Sequence, residues 1–432
     1  MKKIFSIIFK ACILIALCVS FSGCELFEQK FPTSNLPDSG DVSHAVNFST
    51  ANPEDRQLLS RVQAVEKVER SVVAIKMTYE TSSSSGSSSG SGVIIDNGNA
   101  DDNIFYVLTC HHVISSGGKV EVFLPDTNAR NYTDKDYDDK FGFEGVIDNK
   151  INTGELTLIG GDQKGDVAVL KLDVTGTEVK KEQVVCAVLP PETSETESAY
   201  KMMRGEEVFA IGNPSGKLPM SVASGIISYI DRQVTISDVG IMDLLQIDVQ
   251  TNHGSSGGGL FNHYGELIGI TNAGSDAYEG LNYAIPYTST RGEGFVDIAK
   301  ELVGTYYNVW KENNHGYVSG RWSFGITIAG TSTTATILES VKGGNAYKAG
   351  LRDGDLICGF SCEKGDFSYN EEVKSKADLE DAMNKFKYYL AVGDFFTVKV
   401  SRNGIISDYV VNLTEQMIFM DTGYRGQETQ NV

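Results

Sequence analysis

The sequence is poor in basic residues, in cysteine and in long apolar runs, and each scarcity excludes a class of protein. Its 432 residues carry 37 Lys and Arg against 57 Asp and Glu, for a formal net charge of -20. Phosphate backbones are bound by clustered cations, so the composition argues against a sequence-independent nucleic-acid binder. With 41% hydrophobic and 22% charged residues, the chain is otherwise an ordinary soluble globular protein, long enough for two or three domains.

Cysteine is scarce, with seven residues in the whole chain. Four of them lie beyond the N-terminal region, at positions 110, 186, 358 and 362. They are too few and too scattered for the disulfide framework of a small secreted domain. Cys358 and Cys362 are close enough along the chain either to bridge or to stay free, and two ligands alone do not make a structural zinc site.

The one long apolar run lies near the N-terminus. Three lysines precede it and small residues close it, a pattern typical of an export signal over residues 1–23. The uninterrupted run after Lys10 is shorter than the roughly 20 residues of a comfortable bilayer span, which leaves a retained transmembrane anchor as the alternative. Phe21-Ser-Gly-Cys24 resembles the bacterial lipoprotein cleavage box, with Phe where the box usually has Leu. The resemblance predicts that Cys24 is lipidated and holds an exported protein at the extracytoplasmic side of a cell-envelope membrane.

The rest of the chain divides into a tether, two folded domains and a tail. Residues 24–60 contain prolines among polar residues and are predicted to form a flexible tether. Short β-rich runs separated by Gly, Asn and Asp fill residues 61–304, and they predict an all-β barrel or sandwich that ends in a helix from Phe295 to Val303. A second β-rich segment with one clear helix occupies residues 320–417, and residues 418–432 form a polar tail.

Two stretches of the first domain are predicted to lie outside regular structure. Thr81 to Gly92 reads TSSSSGSSSGSG, a low-complexity composition typical of a mobile surface loop. Residues 125–165 are crowded with Asp, Asn, Lys and Tyr, and they predict long loops inserted between strands.

Glycines surround two serines in TNHGSSGGGL, from Thr251 to Leu260. A hydroxyl is a poor nucleophile at neutral pH unless a base takes its proton and something stabilises the oxyanion that follows. Glycines tolerate φ > 0 and let consecutive N–H groups converge on one point. The stretch predicts a nucleophile at Ser256 and an oxyanion hole in the backbone of Gly254, Ser255 and Ser256, with the N–H groups of Gly254 and Ser256 as donors. A Gly/Ser surface turn is the alternative.

A serine nucleophile also needs a base and a buried carboxylate that orients it. His111 and His112 end the apolar strand 105–110, where a side chain is held rigidly beside a cleft. Asp166 opens the apolar strand after Gly165, and a carboxylate at the mouth of such a strand is costly unless it is paired. Taken alone, each residue has a structural alternative, a core histidine and a turn aspartate.

Six motifs follow one another in a characteristic order. They are Leu108-Thr-Cys-His-His-Val-Ile, Gly165-Asp-Val-Ala-Val-Leu-Lys-Leu, Ala210-Ile-Gly-Asn-Pro-Ser-Gly, Ser224-Gly-Ile-Ile-Ser, Asn252-His-Gly-Ser-Ser-Gly-Gly-Gly-Leu and Leu281-Asn-Tyr-Ala-Ile-Pro. The order resembles that of HtrA-type (Deg) serine proteases, over about residues 72–417. The resemblance implies a mainly β fold, a chymotrypsin-like double β-barrel, with Ser256 as nucleophile, His112 as base and Asp166 as the residue that orients the base.

The chain departs from the family pattern around the serine. Ser255 stands where the family usually has Asn, Gly259 where it has Pro, and His111 also where it has Asn. His253 adds an imidazole with no role that we can assign. Losing the proline is expected to make the loop more flexible.

The serine motif also fits Gly-x-Ser-x-Gly, the nucleophile elbow of α/β-hydrolases. That fold places the acid and then the histidine after the serine, within alternating strands and helices. Only His263 and His315 follow Ser256, and the region before it is nearly all strand. The elbow is therefore disfavoured.

The C-terminal segment resembles a PDZ domain. Ser323-Phe-Gly-Ile, Ala349-Gly-Leu-Arg-Asp-Gly-Asp-Leu-Ile and the helix that follows carry this resemblance. It implies that an extended peptide adds as a strand beside Phe324-Gly-Ile, with its C-terminal carboxylate on the N–H groups of the preceding loop. The predicted peptide-binding residues are Ser323, Phe324, Gly325, Ile326, Leu379 and Met383.

The resemblance implies a regulated endopeptidase that acts on unfolded or damaged envelope proteins, binds C-terminal peptides, forms homotrimers and needs no metal or organic cofactor. Two rivals remain: a peptide-binding chaperone or stress-sensing scaffold with an idle barrel, and a dedicated signalling protease that cuts one membrane partner. The expected primary pocket holds no acid, which predicts cleavage after small or medium aliphatic residues. Its residues are Gln250, Thr271, Asn272, Ala273, Asn282, Tyr283 and Ala284.

Overall fold

The structure is a computed structural model. It describes residues 48–80, 85–99, 102–115, 118–125, 142–147, 156–191, 200–213, 220–236, 239–274, 281–308, 315–330 and 334–416. The predicted export signal, the lipidation site Cys24 and the polar tail 418–432 lie outside these residues. Within them, no helix is both long enough and apolar enough to cross a membrane.

The first part of the chain folds into a seven-stranded antiparallel sheet. Its strands are β1 (Val72–Glu80), β2 (Ser85–Asp96), β3 (Ile104–Cys110), β4 (Gly118–Phe123), β5 (Gly142–Ile147), β6 (Leu156–Asp162) and β7 (Val167–Asp173). They lie in the order β5-β4-β1-β2-β3-β7-β6, and the two outermost strands lie against each other. Helix α1 (Arg61–Val68) precedes the sheet, and the one-turn helix α2 (His111–Ile114) follows β3.

The second part closes into a six-stranded barrel. Its strands are β8 (Glu207–Gly212), β9 (Ser221–Ile236), β10 (Gly240–Ile247), β11 (Gly259–Asn262), β12 (Leu267–Gly274) and β13 (Asn282–Pro286), in the order β10-β13-β12-β11-β8-β9. The predicted helix from Phe295 is confirmed as α3 (Phe295–Asn308), which packs on β6 and β7 of the first sheet. The first domain continues past residue 304, because the N–H of Gly316 donates to the carbonyl of Ile159 at 2.6 Å.

The C-terminal domain has its own sheet and two helices. Its strands are β14 (Ile326–Gly330), β15 (Ala335–Ser340), β16 (Leu356–Lys364), β17 (Phe367–Glu372), β18 (Phe395–Arg402) and β19 (Ile405–Asn412). They run in the order β14-β15-β16-β18-β19, with β17 paired to β16. Its helices are α4 (Asn345–Lys348) and α5 (Lys376–Tyr389). The mainly β architecture predicted from the sequence is confirmed.

The Ser/Gly-rich stretch is a strand, so the predicted mobile loop is wrong for its described part. Residues 85–92 pair with β1 along their whole length, from Glu80 opposite Ser85 to Val73 opposite Gly92. Small residues are required here because neighbours crowd the strand. A Cβ added to Gly90 would lie 2.5 Å from Val113 Cγ1, and one added to Gly92 would lie 2.6 Å from Val107 Cγ1.

The predicted tether is too long at its C-terminal end. Phe48 is buried and contacts the Tyr106 ring edge-on, with 6.4 Å between centroids. Arg56 forms a forked pair with the buried carboxylate of Glu266, at 2.6 and 2.9 Å. A segment that buries an aromatic ring and pairs a charge in this way is part of the folded domain. Residues 48–60 therefore belong to it, and only the part of the tether before residue 48 lies outside the described residues.

The insertion and cysteine predictions have mixed outcomes. Strands β5 and β6 lie within residues 125–165, and most of the remaining insertion is outside the described residues. Cys110, Cys186, Cys358 and Cys362 are all free thiols, which settles the question left open for the last two.

Candidate active site

His112 is carried by the short helix α2, directly after strand β3 of the seven-stranded sheet. Strand β3 ends at Cys110, and the chain turns at once into α2, which carries His112 with its side chain 39% exposed. The ring Nδ1 lies 2.7 Å from Asp166 Oδ2, and the backbone N–H donates to Asp166 Oδ1 at 2.9 Å. With the Nδ1 proton directed at the carboxylate, Nε2 is left as the basic nitrogen.

Asp166 is fixed by a tight turn between β6 and β7. Its φ of 52° is in the left-handed region, which a residue other than glycine adopts only when its surroundings impose it. The turn is closed by Asp162 Oδ2, which accepts the N–H of Gly165 at 2.9 Å, and the carbonyl of Asp166 accepts the N–H of His111 at 3.0 Å. The loop thus delivers the carboxylate to His112 from a backbone held at both ends.

The Asp166 carboxylate is fully buried and accepts three N–H groups. Besides the two from His112, Asn272 Nδ2 donates to Oδ2 at 2.5 Å. A buried carboxylate is tolerated when its lone pairs are satisfied in this way. The sequence predicted Asn272 as a pocket residue, whereas its side chain lies buried against the aspartate.

The environment of His112 favours its charged form. Burial alone would lower the pKa of the imidazole, but the hydrogen bond and the negative charge of Asp166 outweigh it. The pKa of His112 is therefore raised above its ordinary value of 6.5. Asp166 thus stabilises the imidazolium that forms when His112 takes a proton.

The Ser256 hydroxyl is hydrogen-bonded to a group other than His112. It donates to the backbone carbonyl of Asn272, at 2.8 Å. Among the described residues it forms no hydrogen bond to the imidazole. Side chains move between staggered rotamers, so the bond to Asn272 has to break before His112 can receive the serine proton.

Two N–H groups of the nucleophile loop, residues 251–258, have no acceptor among the described residues. Gly254 has a φ of 92°, a conformation suited to glycine. Within the described part of the chain, neither the Gly254 nor the Ser256 N–H donates to another group. The N–H of Ser255, which the sequence placed in the oxyanion hole, donates to the Asn252 carbonyl at 2.9 Å and is used inside the turn.

The predicted pocket residues are mostly supports of the loop. Thr271 Oγ1 donates to the Ser255 carbonyl at 2.5 Å, and Asn282 Oδ1 accepts the Thr251 hydroxyl at 2.8 Å. Ala284 is buried inside the second barrel, whereas Gln250 is exposed ahead of the serine. Tyr283 is partly buried, and the Ala273 side chain lies outside the described ones.

The predicted peptide groove lies along an edge strand. Strand β14 has a neighbour on one side only, β15, and helix α5 packs beside it. Leu379 and Met383 lie buried on the inner side of α5, and Phe324 packs edge-on against Phe396 with 5.4 Å between centroids. The side chain of Phe324 is therefore part of the domain core. Gly325, with a φ of 74°, turns the chain into β14 at Ile326, and its N–H donates to Ser323 Oγ at 3.1 Å.

One cluster in the described residues has the spacing of metal ligands. Cys110, His112 and Asp166 offer ligand atoms within 4.8 Å of one another. Two of these atoms, His112 Nδ1 and Asp166 Oδ2, are already hydrogen-bonded to each other, and the Cys110 thiol donates to the Thr271 carbonyl at 3.3 Å. All three ligand atoms are thus already engaged in hydrogen bonds, and the sequence prediction of a metal-free site stays a prediction.

Known proteins resemble the chain in the region of this site. A family model described as a trypsin-like peptidase domain matches residues 90–270. The serine endoprotease DegS of Haemophilus influenzae is 26% identical over 329 residues, covering 75% of this chain and 78% of that protein. The serine protease Do-like HtrA of Lactococcus lactis subsp. cremoris is 26% identical over 443 residues, covering 94% of both. A solved structure of the HtrA-type protease AlgW with tripeptide is 22% identical and has a TM-score of 0.44, covering 83% of this chain and 97% of that one.

The matched region contains the nucleophile loop, the histidine and the aspartate described above. The chain is thus a serine-type endopeptidase with a trypsin-like peptidase domain, related to the HtrA and Deg serine proteases.

Proposed function

We propose that the chain is an exported, membrane-tethered endopeptidase that degrades or processes unfolded or damaged envelope proteins. The observation that carries the catalytic part is the buried Asp166 carboxylate, which holds His112 at 2.7 Å beside the Ser256 loop. A buried carboxylate beside a histidine orients that base and stabilises its protonated form. The names of the Haemophilus and Lactococcus relatives, both serine proteases, support the same activity.

The proposed reaction follows from the geometry. Ser256 Oγ attacks the scissile carbonyl as His112 Nε2 takes its proton, and the carbonyl oxygen becomes an oxyanion facing the Gly254 and Ser256 N–H groups. The imidazolium then gives the proton to the leaving amine, which breaks the C–N bond and leaves an acyl-enzyme. A water deprotonated by His112 attacks that ester in the same manner and releases Ser256.

The bond from Ser256 to the Asn272 carbonyl supports a resting state with low turnover. That bond competes with the one the serine must donate to His112. A ligand raises activity only if it binds the competent arrangement more tightly than the resting one. We therefore propose that substrate or a PDZ-bound peptide shifts the serine toward His112.

A continuous set of contacts supports regulation by the C-terminal domain. Arg321, at the start of that domain, forms a buried fork with Asp162 at 2.9 and 2.8 Å. The same aspartate accepts the N–H of Gly165, the residue before Asp166. A second contact joins the two domains, because the Tyr388 hydroxyl of α5 donates to Asp243 of β10 at 2.8 Å. Movement of the C-terminal domain would thus displace the turn that positions Asp166.

Ser256→Ala and Ser255→Ala provide a matched test of the catalytic proposal. Ser256→Ala should lose casein hydrolysis and fluorophosphonate labelling, because the nucleophile is gone. Ser255→Ala should keep most of both, since its side chain forms only a long 3.4 Å contact with the Asn252 N–H. Equal loss in the two variants would show that the nucleophile is assigned wrongly. A wild-type protein that binds peptides but takes no label would favour the scaffold with an idle barrel.

The anchor, the substrate range and the assembly are separate parts of the proposal. Cys24→Ser should release the protein from membranes in a cell fractionation, or leave its signal uncleaved, while the isolated domain stays active. Wild-type protein with residues 1–23 still attached would favour the transmembrane anchor. Failure to digest casein, together with cleavage of a single membrane partner, would favour the dedicated signalling protease. A homotrimer is expected in sedimentation, and a monomer at working concentrations would contradict it.

A further inference from the structure

Ser91 lies in the part of β2 that the sequence presents as low-complexity. It stands between Gly90 and Gly92, and it is fully buried beneath the nucleophile loop. Side chains of a strand point out of the plane of its sheet. A buried hydroxyl on such a side chain therefore needs hydrogen-bond partners outside that sheet. Two of the hydrogen-bond partners of Ser91 are carbonyls of the loop that carries Ser256.

Four hydrogen bonds converge on Ser91. Its N–H donates to the Ser256 carbonyl at 2.8 Å, and its hydroxyl donates to the Gly254 carbonyl at 2.8 Å. The hydroxyl also accepts the N–H of Asn213 at 2.8 Å, which fixes the direction of its proton. Its carbonyl accepts the hydroxyl of Thr109, in the strand that leads to His112, at 2.7 Å.

These bonds fix the orientation of successive peptide planes in the nucleophile loop. A peptide unit is planar and trans, so holding its carbonyl also sets the direction of its N–H. The Ser91 hydroxyl holds the plane between Gly254 and Ser255, and its N–H holds the plane after Ser256. The plane between them is held by Thr271 and by the N–H of Gly258, both of which donate to the Ser255 carbonyl. With these planes fixed, the Ser256 N–H keeps one direction, and only the plane before Gly254 is free of such a bond among the described residues.

We propose that Ser91 is a positioning residue for the reaction: its hydroxyl and its N–H fix the two peptide planes that flank the plane carrying the Ser256 N–H, and so keep that donor aimed at the oxyanion. This rests on the proposed role of Ser256. The Ser91 hydroxyl touches neither substrate nor reacting atoms and acts through the Gly254 carbonyl. The stabilisation is needed only when charge develops on the substrate oxygen, so its loss should affect the transition state and not substrate binding.

The test compares Ser91→Ala with Ser87→Ala, which lies four residues earlier in the same strand. Ser87 is exposed, and its side chain forms no hydrogen bond among the described residues. With a chromogenic peptide, Ser91→Ala should lower kcat by about 10- to 100-fold, below the loss of about 10²–10³ seen when a whole oxyanion donor is removed. KM should change by less than about twofold, and Ser87→Ala should match the wild type in both, as expected when only transition-state stabilisation is lost.

Two further readouts separate positioning from a general loss of structure. A peptide boronate, which forms a tetrahedral adduct with the serine, should bind Ser91→Ala more weakly by the same factor as the loss in kcat, while a product peptide binds unchanged. The acid limb of the pH profile should stay in place, because His112 and Asp166 are not touched. If Ser91→Ala does not fold, Ser91→Cys retains a weak S–H donor of similar volume and should give a smaller loss of kcat.

Several outcomes would overturn the proposal. A folded Ser91→Ala with wild-type kcat would show that the hydroxyl is only a satisfied buried group, and a rise in KM alone would place its effect on substrate binding. Equal losses in boronate and product binding would show a general distortion of the loop. Activity remaining in Ser256→Ala would instead defeat the assignment of the nucleophile, so the two failures can be told apart.

Discussion

Asp166 is the residue on which the electrostatics of the site converge. Its two oxygens accept the His112 backbone, the His112 ring and the Asn272 amide, and its own backbone adopts a left-handed conformation. The sequence predicted its pairing with His112, because apolar strands locate both residues. It predicted Asn272 as a pocket residue and missed its bond to Asp166, since an asparagine after a threonine in a strand has no signature that distinguishes a pocket wall from a donor to a carboxylate.

The pH dependence of hydrolysis should report the raised pKa of His112. The imidazole acts as a base only when neutral, so kcat/KM should rise as the pH increases through that pKa. The acid limb, measured with a peptide substrate, should therefore have its midpoint above the ordinary 6.5. Asp166→Asn removes the charge that raises the pKa and should move the limb of any residual activity to lower pH. A wild-type midpoint at or below 6.5 would contradict the described environment.

Strand β2 shows why part of the fold could not be read from the sequence. Serine and glycine have low strand propensity, and a run of both is usually flexible. Here the small side chains are selected by crowding from Val107 and Val113, which belong to other segments of the chain. The strands with alternating or continuous apolar residues, such as β3 and β7, were predicted correctly because the signal is local. The strand character of β2, which depends on contacts distant in sequence, was missed.

Gly90→Ala tests the crowding of β2 directly. A Cβ at this position meets Val113 Cγ1 at 2.5 Å, and Val113 follows His112 in α2. The variant should lose about 1–3 kcal/mol of unfolding free energy in urea denaturation, a typical cost of overpacking. It should also lower kcat, because α2 must shift. Gly304→Ala is the control: it lies in α3 with no atom within 4 Å of the added carbon, and it should gain about 0.5–1 kcal/mol from helix propensity.

The molecule as a whole is organised around contacts between the peptidase domain and the C-terminal domain. Arg321 meets both Asp162 and Glu293, which lies 2.6 Å from its guanidinium, while Tyr388 reaches Asp243. Sequence motifs identified the two domains separately but gave no sign of this interface. Charged residues at a domain boundary are usually interpreted as solvated surface, and only the folded arrangement shows Arg321 and Asp162 buried together.

Arg321→Met should separate the stability of this interface from its role in regulation. Removing one partner of a buried pair leaves Asp162 uncompensated, a loss of about 3–5 kcal/mol. Lys385→Met is the control, because the Lys385–Asp381 pair of 2.7 Å is on the surface and contributes about 0.5 kcal/mol or less. Arg321→Met should have the lower melting temperature, and its hydrolysis rate should no longer respond to an apolar C-terminal peptide. A full response to peptide in a destabilised Arg321→Met would show that the fork stabilises the fold without transmitting the signal.

The contacts of residues 48–60 with the folded domain decide how a pull on the N-terminal side of the chain is distributed. Thr50 forms a β-bridge with Leu189, Arg56 forms an ion pair with Glu266, and the N–H of Leu59 donates to the carbonyl of His263 at 2.9 Å. Tension entering the domain at Phe48 is therefore shared by contacts with the segment at Leu189 and with the second barrel before it reaches β1. If the enzyme is membrane-tethered as proposed, a pull from a bound polypeptide would load these contacts before it reached the strands that position His112 and Asp166.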